Sequence, residues 1–378
     1  MLLKLKQSIS SHLVNLPGWR TNRKIIVIES DDWGSIRMPS REVYNRLLSR
    51  GINVDKCPYN RYDSLASEDD LNALFEVLTK FKDSNGHHPI ITANTIVANP
   101  DFEKIKASNY CEYHYEPFTK TLKRYPSHSR SFALWQQGIN NKLFWPQFHG
   151  REHLNVHRWL KFLRIGSNET LTAFDNELFG ISTTITTEVR KSFLAAFEFD
   201  NFYELSWQKE MLADGLNLFF NIFEFKPKSF IAPNYIWHPG IEPVLLANGI
   251  TFIQGNHKQL IPHPPSLKKV NHYLGQKNYL GQIYLVRNCI FEPSLDQNKD
   301  FISSCLKQIK NAFFLKKPAI ISSHRVNFIG FIDENNRKRN LRMFEELFRH
   351  ILNKWPEIEF MTSDQLGGLI LQENETTS

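Results

Sequence analysis

Short apolar runs alternate with stretches of helical period along most of the chain. Residues 25–28, 89–97, 228–232, 251–254, 282–287, 318–324 and 359–362 are rich in β-branched or aromatic residues and are too short for helices. They predict strands. The run at 25–28 is continuous rather than alternating, the mark of a strand covered on both faces. Between the runs, apolar residues recur at three and four. One predicted helix opens at the cap Ser40, with Val43, Leu47 and Leu48 on its apolar side. Another opens at Ser67, carries Leu71, Leu74, Phe75 and Leu78, and is stopped by Asn85-Gly86. Further helices are predicted over 101–108, over 132–137 with Gly138 as the stop, through Val156, Leu160 and Leu163, and over 204–223. The remaining ones open at Pro239-Gly240 and cover 299–315 and 337–353. Residues 51–66 and 255–278 read as loops, and 110–145 and 166–203 as insertions. Strand–helix alternation argues for an α/β fold with a parallel sheet and helices outside.

Composition narrows the class. With 378 residues, 41% of them hydrophobic, the chain can bury a large core and is too apolar for disorder. The formal charge of +7 is spread along the chain, without zinc-finger spacing or an aromatic-plus-basic signature, which argues against a nucleic-acid partner. The four cysteines form no C-x-x-C pair and suit a reducing compartment. No apolar run is long enough to span a membrane, and the first residues lack the unbroken apolar core of a secretory signal. A cytoplasmic location is therefore expected, with peripheral membrane association open. Residues 1–23 form an N-terminal extension in which Leu2, Leu5, Ile9, Leu13 and Leu16 share one helical face. A helix packed on the domain is expected ahead of a membrane-surface anchor. No linker interrupts 24–370, which reads as one domain.

Polar groups collect where strands end, and in α/β folds that is where chemistry sits. The first strand runs into Asp31-Asp32, the strand at 228–232 into Pro233-Asn234-Tyr235, and the strand at 318–324 ends on His324. Adjacent carboxylates need a compensating cation or a shared proton. His149 and His153, four apart, lie one turn apart on a helix and can grip one cation. Two His and one Asp is the ligand count of a hydrolytic zinc site that keeps a position open.

This order of motifs resembles the polysaccharide deacetylases, the NodB-homology group of carbohydrate esterase family 4. The resemblance runs from about residue 24 to 365. It implies a distorted (β/α) barrel of about seven parallel strands, carrying insertions. The family's Thr-Phe-Asp-Asp-Gly looks like Glu29-Ser-Asp-Asp-Trp-Gly34 here, which makes Asp31 the catalytic base and Asp32 a metal ligand. His-Ser/Thr-x-x-His looks like His149-Gly-Arg-Glu-His153, whose histidines complete the metal triad. Arg-x-Pro-Tyr appears as Ile231-Ala-Pro-Asn234 without its arginine, and Arg151, Arg287 and Arg325 are the candidates to replace it. Leu-x-His looks like Ser322-Ser-His324, which makes His324 the general acid. Glu292 and Asp296 lie where the family's bracing acidic segment belongs.

The resemblance implies a divalent metal cofactor, zinc first. It implies removal of acetyl groups from a glycan or glycoconjugate, N-acetyl ahead of O-acetyl. A backbone N–H after Pro233 is the expected oxyanion donor. Trp33, Asn234, Tyr235 and Trp237, at predicted strand exits, are candidate sugar contacts. Two rivals remain: hydrolysis of a non-sugar amide on the same fold, and a glycan-binding protein without turnover.

Overall fold

A computed structural model describes residues 15–189 and 191–376. The chain-order strands are β1 (Ile25–Trp33), β2 (Ile91–Ile96), β3 (Ala98–Pro100), β4 (Tyr115–Pro117), β5 (Phe144–Gly150), β6 (Ser229–Ile231) and β7 (Phe252–Gly255). They continue with β8 (Lys258–His263), β9 (Ser266–Asn271), β10 (Ile283–Val286), β11 (Cys289–Ile290), β12 (Ala319–His324) and β13 (Glu359–Met361). Eight of them curl into a half-barrel in the order β10-β7-β6-β5-β2-β1-β12-β11, and β13 adds to β1. Every pairing within this sheet is parallel. The parallel sheet is what the strand–helix alternation predicts, and its curl is that of the distorted (β/α) barrel implied by the resemblance.

β1 is buried along its whole length, so its two faces serve different cores. Ile26 and Ile28 point to the helical layer, with Ala319, Ile321 and Phe344. Ile25 and Val27 point into the barrel, where they meet Phe252, Ile283, Leu285 and Ile320. The helix Ser363–Thr376 closes that end, setting Leu366 and Ile370 into the same cluster. Above this apolar floor the barrel axis turns polar. Asn94 donates to Gln254, Gln254 to Ser229, and Ser229 to Gln147. The Oγ of Ser363 donates to Glu29, tying the terminal helix to the polar layer.

The seam of the barrel is a two-residue link. Arg287 follows β10 and donates its backbone N–H to Gly255 of β7. Asn288 donates its own to Ile320 of β12. The chain thus steps from one sheet edge toward the other, and Arg287 is held at the step.

Several expectations are corrected. Gly138 does not stop its helix, which runs Ser131–Asn140. A Cβ there would lie 2.5 Å from the Phe75 ring, so the glycine serves a close approach. The loop expected over 51–66 contains the short helix Pro58–Tyr62. Residues 255–278, also expected as loop, contain the antiparallel hairpin β8–β9. Its prolines weaken the strand signal, and Pro262 is tolerated in a strand that has a single ladder partner. The predicted face Leu2, Leu5, Ile9 and Leu13 lies outside the described residues. Further along the extension, Lys317 donates to the carbonyls of Pro17, Gly18 and Trp19, fastening that stretch to the barrel. No helix among the described residues is long and apolar enough to cross a membrane.

Candidate active site

In a regular strand, neighbouring side chains point to opposite faces. Asp31 and Asp32 nevertheless line one cavity of about 250 Å³ at the carboxyl end of the barrel. The register of β1 against β2 slips between Ser30 and Trp33, and Asp32 takes the left-handed conformation at φ 74°. This bulge turns the second carboxylate to the side of the first. A non-glycine residue in that region costs on the order of 1 kcal/mol, so the surrounding contacts must hold it.

His149 and His153 are brought together differently from the helical pair expected. His149 is the penultimate residue of β5 and His153 lies in the loop behind it, with Gly150 between them at φ 131°. Their ring centroids are 5.1 Å apart. Asp32 Oδ1 lies 3.5 Å from His149 Nε2 and 3.2 Å from His153 Nε2. All three residues are buried, and a ligand atom from each falls within 4.8 Å of the others.

These residues fit a divalent ion. The His149 Nδ1–H donates to the Ile231 carbonyl at 2.9 Å, which fixes the tautomer and leaves Nε2 as a lone pair. That nitrogen is buried without a hydrogen-bond partner. Burial, opposed by the charge of Asp32, lowers His153 to about 4, so its imidazole is neutral at physiological pH. A carboxylate and two imidazoles form a ligand set for zinc or another divalent transition ion.

The arginine that the sequence could not choose is Arg287. Its Nη1 donates to Asp31 Oδ2 at 2.7 Å and its Nη2 to Oδ1 at 2.6 Å, while Nε reaches Glu29. The Tyr235 hydroxyl accepts from Nη1 at 3.1 Å and steadies the guanidinium. Asn94 adds a further donor to Asp31 Oδ1. Burial pushes the Asp31 carboxyl up, but the charge and hydrogen bonds of Arg287 prevail and hold it well below the usual carboxylate range. Arg151 is engaged with Glu152 and Asp214, and Arg325 forks onto Asp63, so neither fills this place.

His324 stands on the other side of Asp31, its Nε2 3.8 Å from Oδ2. Its Nδ1 is bonded to Glu292 at 2.6 Å, and Asn327 anchors the second Glu292 oxygen. Burial lowers the imidazolium's pKa, but Glu292, then Asp31, raise it to about 9. Of the two acidic candidates for a brace, Glu292 touches the histidine. Asp296 is exposed and accepts from the Asn298 backbone.

The sugar-contact candidates divide. Asn234 and Tyr235 line the cavity, both at left-handed φ. The Trp33 ring is 1% exposed, packed edge-on against Phe144 and Trp135, with its indole N–H on Ser30. Trp237 is equally buried and donates to Glu242. Neither presents a face to the cavity, so both are corrected to core residues that back the site. The amides of Tyr235 and Ile236 are spent within their own turn, on Ala232 and Pro233, and are not free for an oxyanion. Arg37, Tyr59 and Leu194 also line the cavity, and no sequence motif had marked them.

No family model matches the chain, and no curated protein matches it. Solved structures do. A 4-alpha-glucanotransferase from Thermococcus litoralis is 10% identical with a TM-score of 0.44, over 91% of this chain and 40% of that one. This chain thus spans less than half of the glucanotransferase. A protein assigned as a polysaccharide deacetylase from Mycobacterium smegmatis is 10% identical with a TM-score of 0.44, over 95% and 94%. A family 4 carbohydrate esterase from Streptomyces lividans is 8% identical with a TM-score of 0.35, over 91% and 94%. With identities of 8–10% and TM-scores under 0.5 these likenesses carry no argument here, and the fold and the chemistry of the site stand on their own geometry.

Proposed function

We propose that this protein is a metal-dependent hydrolase that removes acetyl groups from a glycan or glycoconjugate, N-acetyl groups first. One observation carries the reading: a carboxylate held ionised by Arg287 and an imidazolium held charged by Glu292 lie 3.8 Å apart in the wall of a cavity that also contains a two-His, one-Asp set. Asp32, His149 and His153 would hold the ion. A divalent ion there supplies Lewis-acid polarisation of the scissile carbonyl and makes water nucleophilic near neutral pH.

The chain's own groups divide the proton work. Asp31 accepts the proton of the attacking water. Arg287 and Asn94 fix its oxygens, so no reorientation is needed as charge moves. His324 gives a proton to the departing nitrogen or oxygen, and Glu292 keeps the imidazole turned toward the cavity. The small cavity suits one sugar unit with its acetyl group. Asn234 and Tyr235 are its candidate contacts.

The test is acetate release from a panel of N- and O-acetylated saccharides by zinc-loaded protein, with chelated protein and His149→Ala as controls. Metal-dependent release, absent in the variant, supports the reading. Zinc bound at one equivalent with no release from any saccharide would move the assignment to a non-sugar amide or to glycan binding without turnover.

A further inference from the structure

Arg37 is 4% exposed, yet it lines the same cavity as the triad. A guanidinium has five N–H donors. Among the described residues this one makes a single hydrogen bond, from Nη2 to Asp32 Oδ2 at 2.9 Å. Its Nε is buried with no hydrogen-bond partner and stands only in ion-pair range of Asp63 Oδ2, at 3.6 Å. Asp63 is already forked by Arg325. Leaving a buried N–H donor without a hydrogen bond is costly. Tyr59 lines the cavity beside it, its ring 6.0 Å from the Arg37 guanidinium carbon and 5.5 Å from the His324 ring. Among the described residues its hydroxyl makes no hydrogen bond.

Charge points the same way. Asp32 is the one carboxylate hydrogen-bonded to Arg37, and it is also the one anionic member of the triad. A single negative charge cannot neutralise both a guanidinium and a divalent ion, so this floor becomes positive once the ion is seated.

From these contacts we infer that Arg37, with the Tyr59 hydroxyl, forms a subsite for an oxyanion carried by the substrate, a carboxylate or a phosphate. The inference rests on the acetyl-sugar reading for the rest of the ligand. The planar guanidinium offers paired N–H groups that match either oxyanion. The preferred substrate is then an acidic or phosphorylated acetamido sugar rather than a neutral one.

Calorimetric titration tests this on the full-length, zinc-loaded protein. The probes are N-acetylglucosamine, N-acetylmuramic acid and N-acetylglucosamine 1-phosphate. At least one anionic sugar is expected to bind about 10-fold or more tightly than the neutral one. Which one leads distinguishes carboxylate from phosphate. Arg37→Met is expected to erase the difference, with zinc stoichiometry measured alongside. Tyr59→Phe leaves the Arg37–Asp32 pair in place and is expected to reduce the difference about threefold. Equal affinities for neutral and anionic sugars in the unmodified protein overturn the inference. So does a difference that survives in a zinc-replete Arg37→Met, or that is untouched in Tyr59→Phe. Because binding is read without turnover, an anion preference without acetate release would remove the hydrolase reading and leave the subsite standing.

Discussion

Arg287 and Asp31, 256 positions apart, are joined by a two-pronged ion pair of 2.6 and 2.7 Å in which both carboxylate oxygens are used. Arg287 also holds Glu29, which burial alone pushes toward the neutral form. Replacing it with Met leaves two buried carboxylates without their cation. Breaking such a pair costs about 3–5 kcal/mol. Arg287→Met is expected to lose stability of that order in a denaturant titration. Arg287→Lys is expected to fold better, yet to fall at least about 100-fold in kcat, because an ammonium cannot reproduce the fork.

His324 is expected to set the alkaline limit of acetate release. Its pKa is raised to about 9, principally by Glu292 against the opposing effect of burial. Acetate release should therefore persist to about pH 9 and fall above it. Glu292→Gln removes the charge and should bring that limb toward the ordinary histidine value near 6.5. A pH–kcat/KM profile of both proteins checks this, and an unmoved limb would unseat His324 as the acid. The sign for stability follows. A folded pKa above the unfolded one contributes stability fully present below about 6.5 and lost as pH rises through 9.

The triad should act as a unit. His149→Ala, His153→Ala and Asp32→Asn are each expected to bind zinc at well under one equivalent by elemental analysis. Activity should fall to the chelated level. Ser322→Ala removes a hydroxyl that accepts from Arg287 at 3.2 Å but is not a triad member. It should retain zinc.

Gly138→Ala tests the packing of the helical layer. Alanine gains about 1 kcal/mol of helix propensity over glycine. The new methyl would meet the Phe75 ring at 2.5 Å and the Phe144 Cβ at 3.0 Å, and overpacking typically costs about 1–3 kcal/mol. The steric term wins, so the denaturation midpoint should drop.

What could be read from sequence was what has a period or sits at a strand end. β1, β2, β5, β6, β7, β10, β12 and β13 all carry an apolar or extended signal. Asp31, Asp32, His149 and His324 lie at the carboxyl ends of three of them, and His153 follows closely on β5. Tyr59 was hidden in a five-residue helix, too short to show a period. Arg37 follows an irregular turn with no motif around it. Choosing Arg287 over Arg151 and Arg325 needs the curled sheet, since the seam is what carries residue 287 to residue 31. Trp33 and Trp237 were ambiguous because an aromatic ring at a strand exit suits both a ligand and a core. Their indole N–H groups, paired with Ser30 and Glu242, decide for the core. The bulge at Asp32 left no sign in the sequence beyond the acidic pair it serves.

Arg287 occupies the two-residue step between β10 and β11, and that address has a consequence for how such sites are recognised. Strand ends around a barrel are mounting points on a ring, all at similar reach from the axis. A guanidinium delivered from any of several of them arrives at the same carboxylate. The role of a side chain here is therefore an angular coordinate, not a place in the linear order. A scan for motifs along the chain finds side chains that sit in a recognisable local pattern and passes over one that does not, whereas a search for a forked arginine on the first carboxylate of an Asp-Asp pair finds it wherever the chain supplies it.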